Sequence, residues 1–124
     1  AIHFVRENER VKKLFKALKN DDIEAFLDVV RESGKSSATL LQNCYSVTDV
    51  KEQGIVLACA VAESVVVPCG AFRVHGGGFA GTIQAFVPVG LADDYINEMN
   101  RIFGEKSCTK MKIRPVGGVE ITKE

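Results

Sequence analysis

The chain has no tryptophan, two tyrosines, two histidines and three prolines in 124 residues, and its charges cancel, with 16 Lys and Arg against 16 Asp and Glu. Without an excess of either sign there is no long-range attraction of the kind a nucleic-acid or membrane-surface binder relies on, which argues against phosphate-backbone binding as the main activity. No apolar run approaches the ~20 residues of a bilayer span, and the opening Ala-Ile-His-Phe-Val-Arg lacks the layout of a secretory signal. Internal repeats and low-complexity linkers are also missing. The four cysteines, Cys44, Cys59, Cys69 and Cys108, form no C-x-x-C pair; zinc and disulfide frameworks are thus poorly supported, and buried free thiols are expected. What remains is a chain 46% hydrophobic, enough for a real core. The expectation is one soluble, cytoplasmic domain over residues 1–124. Four of the eleven glycines crowd into Gly76-Gly77-Gly78-Phe79-Ala80-Gly81, where a globular domain would scatter them.

Hydrophobic periodicity orders the elements. Val11, Leu14, Phe15 and Leu18 recur at three and four, predicting an amphipathic helix from Glu7 to about Asn20. Asp21 stands as an N-cap with Glu24 as its capping-box partner, and Ile23, Phe26, Leu27 and Val30 restart the stripe in a second helix. Ser33-Gly34-Lys35-Ser36-Ser37 is read as an interruption or kink, with helical character resuming through Leu40, Leu41 and Tyr45. Thr48 or Asp49 caps a third, apolar and central helix from Val50 toward Ser64, ended by Val65-Val66-Val67-Pro68. Ala71–His75 and Thr82–Val87 read as strands with the glycine cluster as their connection. Asp93 and Asp94 open a helix carrying Tyr95, Ile96, Met99, Ile102 and Phe103, with Gly104 at its C-terminal end. Thr109–Arg114 alternates like a half-solvated strand, and Pro115–Gly118 turns it into a last strand, Val119–Thr122. Helices first and then paired strands predict an α+β, two-layer domain with an antiparallel sheet and helices packed on one face.

Most chemical candidates are better explained by capping. Gly34-Lys35-Ser36 matches the tail of a phosphate-binding P-loop, but Val29 stands where the motif needs glycine, and a helix precedes it where the motif needs a strand. Asp21-Asp22 and Asp93-Asp94 sit at helix starts, where carboxylates favour the positive dipole end. His3 carries no signal. The glycine cluster differs. Between Glu63 and Asp93 the only charged side chain is Arg73, and His75 is the only other group that ionises near neutrality. Glycines allow close backbone approach and convergent N–H groups that suit an anion or a sugar hydroxyl. A plain strand connection, or a backbone crossing beneath a helix, accounts for the same residues.

Arg73-Val74-His75-Gly76-Gly77-Gly78-Phe79-Ala80-Gly81-Thr82 followed by Ile83–Val87 resembles the third motif of the GHMP small-molecule kinases in its galactokinase form, Arg-Met-Thr-Gly-Gly-Gly-Phe-Gly-Gly-Cys before a strand. The resemblance extends upstream through Arg10, Ala17-Leu18, Asp21 and Phe26 and the Ser33/Ser36 segment, so it covers essentially the whole chain. His75, Ala80 and Thr82 depart from the usual Thr, Gly and Cys; Ala71-Phe72 replaces Gly-Ala, and Gly34 stands where many relatives carry His. The family's N-terminal sugar signature, its Pro-x-x-x-Gly-Leu-Ser-Ser-Ser nucleotide loop and its Asp and Arg at the reacting hydroxyl have no counterpart here.

The resemblance therefore implies the C-terminal half of a galactokinase, folded as the two-layer, ferredoxin-like C-terminal domain. The reaction implied is phosphorylation of the anomeric hydroxyl of α-D-galactose by ATP with Mg²⁺, neither held tightly by this chain alone. Galactose and ATP would be bound jointly with an N-terminal domain. Gly76, Gly77, Gly78 and Gly81 would form one wall of the cleft, beside Arg73 and His75, with no catalytic residue and no metal ligand in this chain. Arg73 either neutralises phosphate or anchors the loop by pairing with an acid, and Phe79 packs under the loop. An exposed apolar face would favour self-association. Two other classes share the fold: a non-catalytic sugar or nucleotide sensor, and an interaction module whose sheet pairs with a second copy.

Overall fold

The first helices form a hairpin, α1 over Ile2–Lys19 and α2 over Ile23–Ser36, in a computed structural model that describes residues 1–79 and 81–117. No glycine or proline interrupts α1, so it starts well before Glu7, and Lys16 and Lys19 in its last turn face the negative end of its dipole. The cap of α2 is Asp22 and not Asp21: Asp22 Oδ1 accepts from the Ala25 N–H at 3.0 Å, while Asp21 takes a left-handed φ of 56° in the turn. That shift removes Glu24 from the capping-box position. The residues Ser33 to Ser36 do not break α2; Ser33 is buried, and the helix passes directly into a π-helical turn, Ser37–Leu41.

The third helix, α3, spans Gly54–Val66 and begins later than the Val50 start expected. Asp49 is spent on a turn instead, accepting from the Lys51 N–H at 2.9 Å through Oδ1. Strands β1 (Ala71–His75) and β2 (Thr82–Phe86) then pair antiparallel, with Ala71 opposite Phe86, Arg73 opposite Gln84 and His75 opposite Thr82. A short 3-10 turn leads into α4, Ala92–Phe103, with Asp93 and Asp94 in its first turn and Gly104 beyond its end at φ 97°.

Strand parity distributes the core. Ala71 and Phe86 meet Ala17, Phe26, Leu27 and Val30 of the α1–α2 pair, with Phe26 and Phe86 edge to face at a 4.9 Å centroid distance. Phe72, Ile83 and Ala85, which point the other way, meet Ala62 and Val66 of α3 and Tyr95 and Met99 of α4. Helices therefore cover both faces of the hairpin, which corrects the expectation of helices on one face; the α+β class and the antiparallel sheet stand. Val74 completes a third cluster with Cys44 and Ile55.

Two further expectations change. Thr109–Arg114 makes no strand, leaving Met111 and Ile113 at 84% and 82% exposure, because an alternating segment becomes a strand only when a partner takes its backbone groups. The Val119–Thr122 strand lies outside the described residues. Of the thiols, Cys44 is buried and Cys59 and Cys108 are half-buried, but Cys69 is exposed.

Met99 is 4% exposed and holds α4 against α3. Met99→Ala should lower the unfolding free energy by about 2–5 kcal/mol, checked by urea titration, whereas truncating the more exposed Phe103 of the same helix should cost less.

Candidate functional site

The connection between β1 and β2 takes its shape from left-handed backbone. Gly76 and Gly78 have φ of 64° and 80°, and Phe79 joins them at 54°. Gly78 is pressed against the chain at Asn43, where a Cβ would lie 2.1 Å from the Asn43 carbonyl oxygen. That carbonyl accepts from the Phe79 N–H at 2.7 Å, and the Asn43 side chain donates to the Gly77 carbonyl at 3.2 Å. Asn43 is itself 2% exposed and accepts from the Ser37 hydroxyl at 3.0 Å. A buried amide thus braces the loop from behind with both its side chain and its backbone. The outer side is open: a Cβ added to Gly76 or Gly77 meets nothing within 4 Å. A Cβ on Gly81 would touch only the loop itself, 3.2 Å from the Gly78 carbonyl oxygen. His75 is exposed at the end of β1. Phe79 is 50% exposed and does not pack under the loop, because its backbone, not its ring, makes the contact with Asn43.

Arg73 is engaged by the helical hairpin. Its Nη1 donates to Glu7 Oε1 at 3.1 Å and to the Ser33 hydroxyl at 2.5 Å, and Ser33 in turn donates to the same Glu7 oxygen at 2.5 Å. Arg10 Nε donates to Glu7 Oε2 at 2.8 Å. Arg10 Nη2 also lies 2.8 Å from that oxygen but out of line for a hydrogen bond, so it stays a buried donor with an ion-pair contact only. Of the two roles left open for Arg73, pairing with an acid is the one this geometry contains. Gly34 makes it reachable: a Cβ there would sit 3.0 Å from the Phe72 carbonyl and 3.1 Å from Arg73 Cβ, so glycine lets α2 run close to β1. His3, which carries no sequence signal, reaches Ser36 through Nδ1 at 3.0 Å.

Electrostatics follow. Burial raises the Glu7 carboxyl, but hydrogen bonds from Ser33 and Arg10 and the charges of Arg10 and Arg73 outweigh it and hold the group below the usual glutamate value. Beside this network a cavity of about 240 Å³ opens between α2, α3 and β1, lined by Lys35, Cys44, Tyr45, Cys59, Phe72 and Val74 among others. Burial, with lesser contributions from Cys44 and Glu63, pushes the Cys59 thiol up to about 11, and Cys44 is raised by burial too; both are protonated at neutral pH and poor nucleophiles. Among the described residues no three His, Cys, Asp or Glu side chains come together as a metal site, and no helix is long and apolar enough to cross a membrane.

The parts sequence reasoning missed are Glu7, Ser33 and Asn43. None had a local signal: Asn43 follows another amide, Gln42, and Glu7 and Ser33 share a partner that lies 66 and 40 residues away.

The described chain is thus an α+β unit whose strand hairpin carries an open glycine surface braced from behind. No family model matches the chain, and no solved structure matches it. Its sequence is similar to the galactokinases of Fusobacterium nucleatum (31% identical over 107 residues), Lacticaseibacillus casei (33% over 106) and Clostridium acetobutylicum (28% over 106), in each case over 86% of this chain and 25% of the relative. The resemblance to galactokinase is thus shown, and the chain spans about a quarter of the length of the curated relatives it matches.

Neighbouring glycines should separate. Gly78→Ala should destabilise the chain by at least about 1–2 kcal/mol from left-handed backbone alone, plus the clash with Asn43, whereas Gly77→Ala should change stability by less than about 0.5 kcal/mol; paired urea titrations check this. The stabilisation contributed by Glu7 is complete above its ordinary value of 4.5 and is lost as pH falls through the lower folded-state value. Glu7→Gln should therefore show a smaller loss of stability than the parent between neutral pH and the acid side of that window, read as thermal midpoint against pH.

Proposed function

We propose that this chain is the C-terminal part of a galactokinase of the GHMP type, a single ferredoxin-like domain that works with an N-terminal nucleotide-binding part to phosphorylate the anomeric hydroxyl of galactose from ATP. The observation that carries the reading is the open Gly76-Gly77 surface on a loop fixed from behind by Asn43, in a chain similar to galactokinases over 86% of its length.

Phosphoryl transfer needs two partners held in line and negative charge met by fixed dipoles or cations. Gly76, Gly77, Gly78 and Gly81 would supply a wall of backbone dipoles without side chains to obstruct a phosphate or sugar. His75, exposed at the edge of that wall, would face the same ligand. Arg73 would act indirectly: its charge is engaged by Glu7 and Ser33, so it positions β1 instead of reaching phosphate. Mg²⁺ would supply charge neutralisation on the nucleotide, with ligands from the nucleotide and the N-terminal part.

The test uses the chain alone and the chain exchanged for the matching quarter of the Fusobacterium nucleatum galactokinase. With ATP, Mg²⁺ and galactose the chain alone should form no galactose 1-phosphate, and the chimera should form it. In the chimera, Gly77→Val should lower kcat about tenfold or more with a change in melting temperature no larger than a surface substitution gives. Turnover by the chain alone would overturn the division of labour. A folded chimera that binds both substrates without turnover would favour the sensor reading.

A further inference from the structure

The apolar stripe read from α1 does not all go to the core. Phe4, Val11, Phe15 and Leu18 are 69%, 59%, 69% and 56% exposed, and at 100° per residue they fall within about 60° of the helix circumference. The core-facing side of α1 is a different sector, with Arg10 and Ala17 buried and Leu14 packed beside them. Single exposed apolar side chains are ordinary, but four in one row, two of them phenylalanine, form a contiguous patch of the kind that marks an interaction site.

We propose that the Phe4–Val11–Phe15–Leu18 row of α1 is the docking surface for the three quarters of a galactokinase that this chain does not span. The inference rests on the functional reading above and gives its missing partner a place to bind. In each relative the matched segment is 25% of the polypeptide, so a body about three times its size adjoins it. A lipid surface fits less well. α1 is rich in Lys and Arg, but Arg10 is paired with Glu7, Lys12 with Glu9 and Lys13 with Glu32, and the chain carries no net charge to draw it to anionic headgroups. A second copy is the remaining alternative occupant, and the test below separates it by oligomeric state. The partner surface should be apolar.

The experiment co-expresses the tagged chain with the part of the Fusobacterium nucleatum galactokinase outside the matched segment, and reads capture and galactose phosphorylation together. The variants are Phe4→Asp/Phe15→Asp and, as a control at an equally exposed apolar site off this face, Val89→Asp (89% exposed); circular dichroism confirms that each chain is folded. The parent chain and the control should capture the partner, and the double variant should lose capture at least tenfold. Equal capture by the double variant overturns the surface while leaving the galactokinase reading intact if phosphorylation is restored. Capture that depends on the row without any phosphorylation keeps the surface and removes the kinase reading. Absence of capture by the parent chain, a parent dimer that the double variant abolishes, or binding to phosphatidylserine vesicles that depends on the row would each overturn the proposal.

Discussion

The contact between Glu7 and Arg73 ties together parts of the chain 66 residues apart and fixes where the hairpin stands. It joins α1 to β1 directly, and through Ser33 it includes α2. The carboxylate and the guanidinium are 27% and 25% exposed, so each has given up much of its hydration and depends on the other to recover it. A second arginine, Arg10, shares the acid, which leaves two cations around one anion and explains why the carboxyl stays ionised despite its burial. Removing Glu7 would strand both cations, whereas removing Arg10 would leave the bond to Arg73 in place.

From that anchor the geometry of the loop follows in steps. Arg73 sets β1, the strand register sets β2, and Asn43 then takes up the tip of the connection. Asn43 is available because the π-helical turn places Ser37 against its side chain. The glycines do different jobs within this arrangement. Gly34 and Gly78 allow backbones to touch, and Gly76 and Gly77 keep one surface bare. The cluster Gly76 to Gly78 is thus two features in space, a backbone contact at Gly78 and an open surface at Gly76 and Gly77.

Much of the frame was legible because helices and hairpins announce themselves by period and by local turn chemistry. The strands, the glycine connection and α4 are where their patterns put them. The site was half legible. Gly76 to Gly78 stood out by composition, but the supports did not, since an Asn or a Ser inside a helix says nothing of a partner far along the chain. Direction was the other loss. A period shows that one face of α1 is apolar, yet Arg10 lies inward because Glu7 neutralises it, and Phe15 lies outward although it extends the same stripe. Asp22 displaced Asp21 as the cap for a related reason: the turn needed a residue in left-handed conformation, and Asp accepts one at modest cost.

The two clearest mismatches share a cause. Thr109–Arg114 has the alternation of a strand and no strand beside it; α1 has the stripe of a packed helix and no helix against part of it. In both, periodicity reported the surface correctly, and the partner that would complete it is absent among the described residues. Amphipathic patterning is a property of an interface, written on one side only, so it persists in a segment considered apart from its complement. A chain that matches a quarter of each relative should carry such half-interfaces, and a hairpin of two strands, which has little stability by itself, gains most from whatever completes them. The balanced charge fits this picture: with no net field to steer association, recognition would rest on the fit of apolar rows and open backbone.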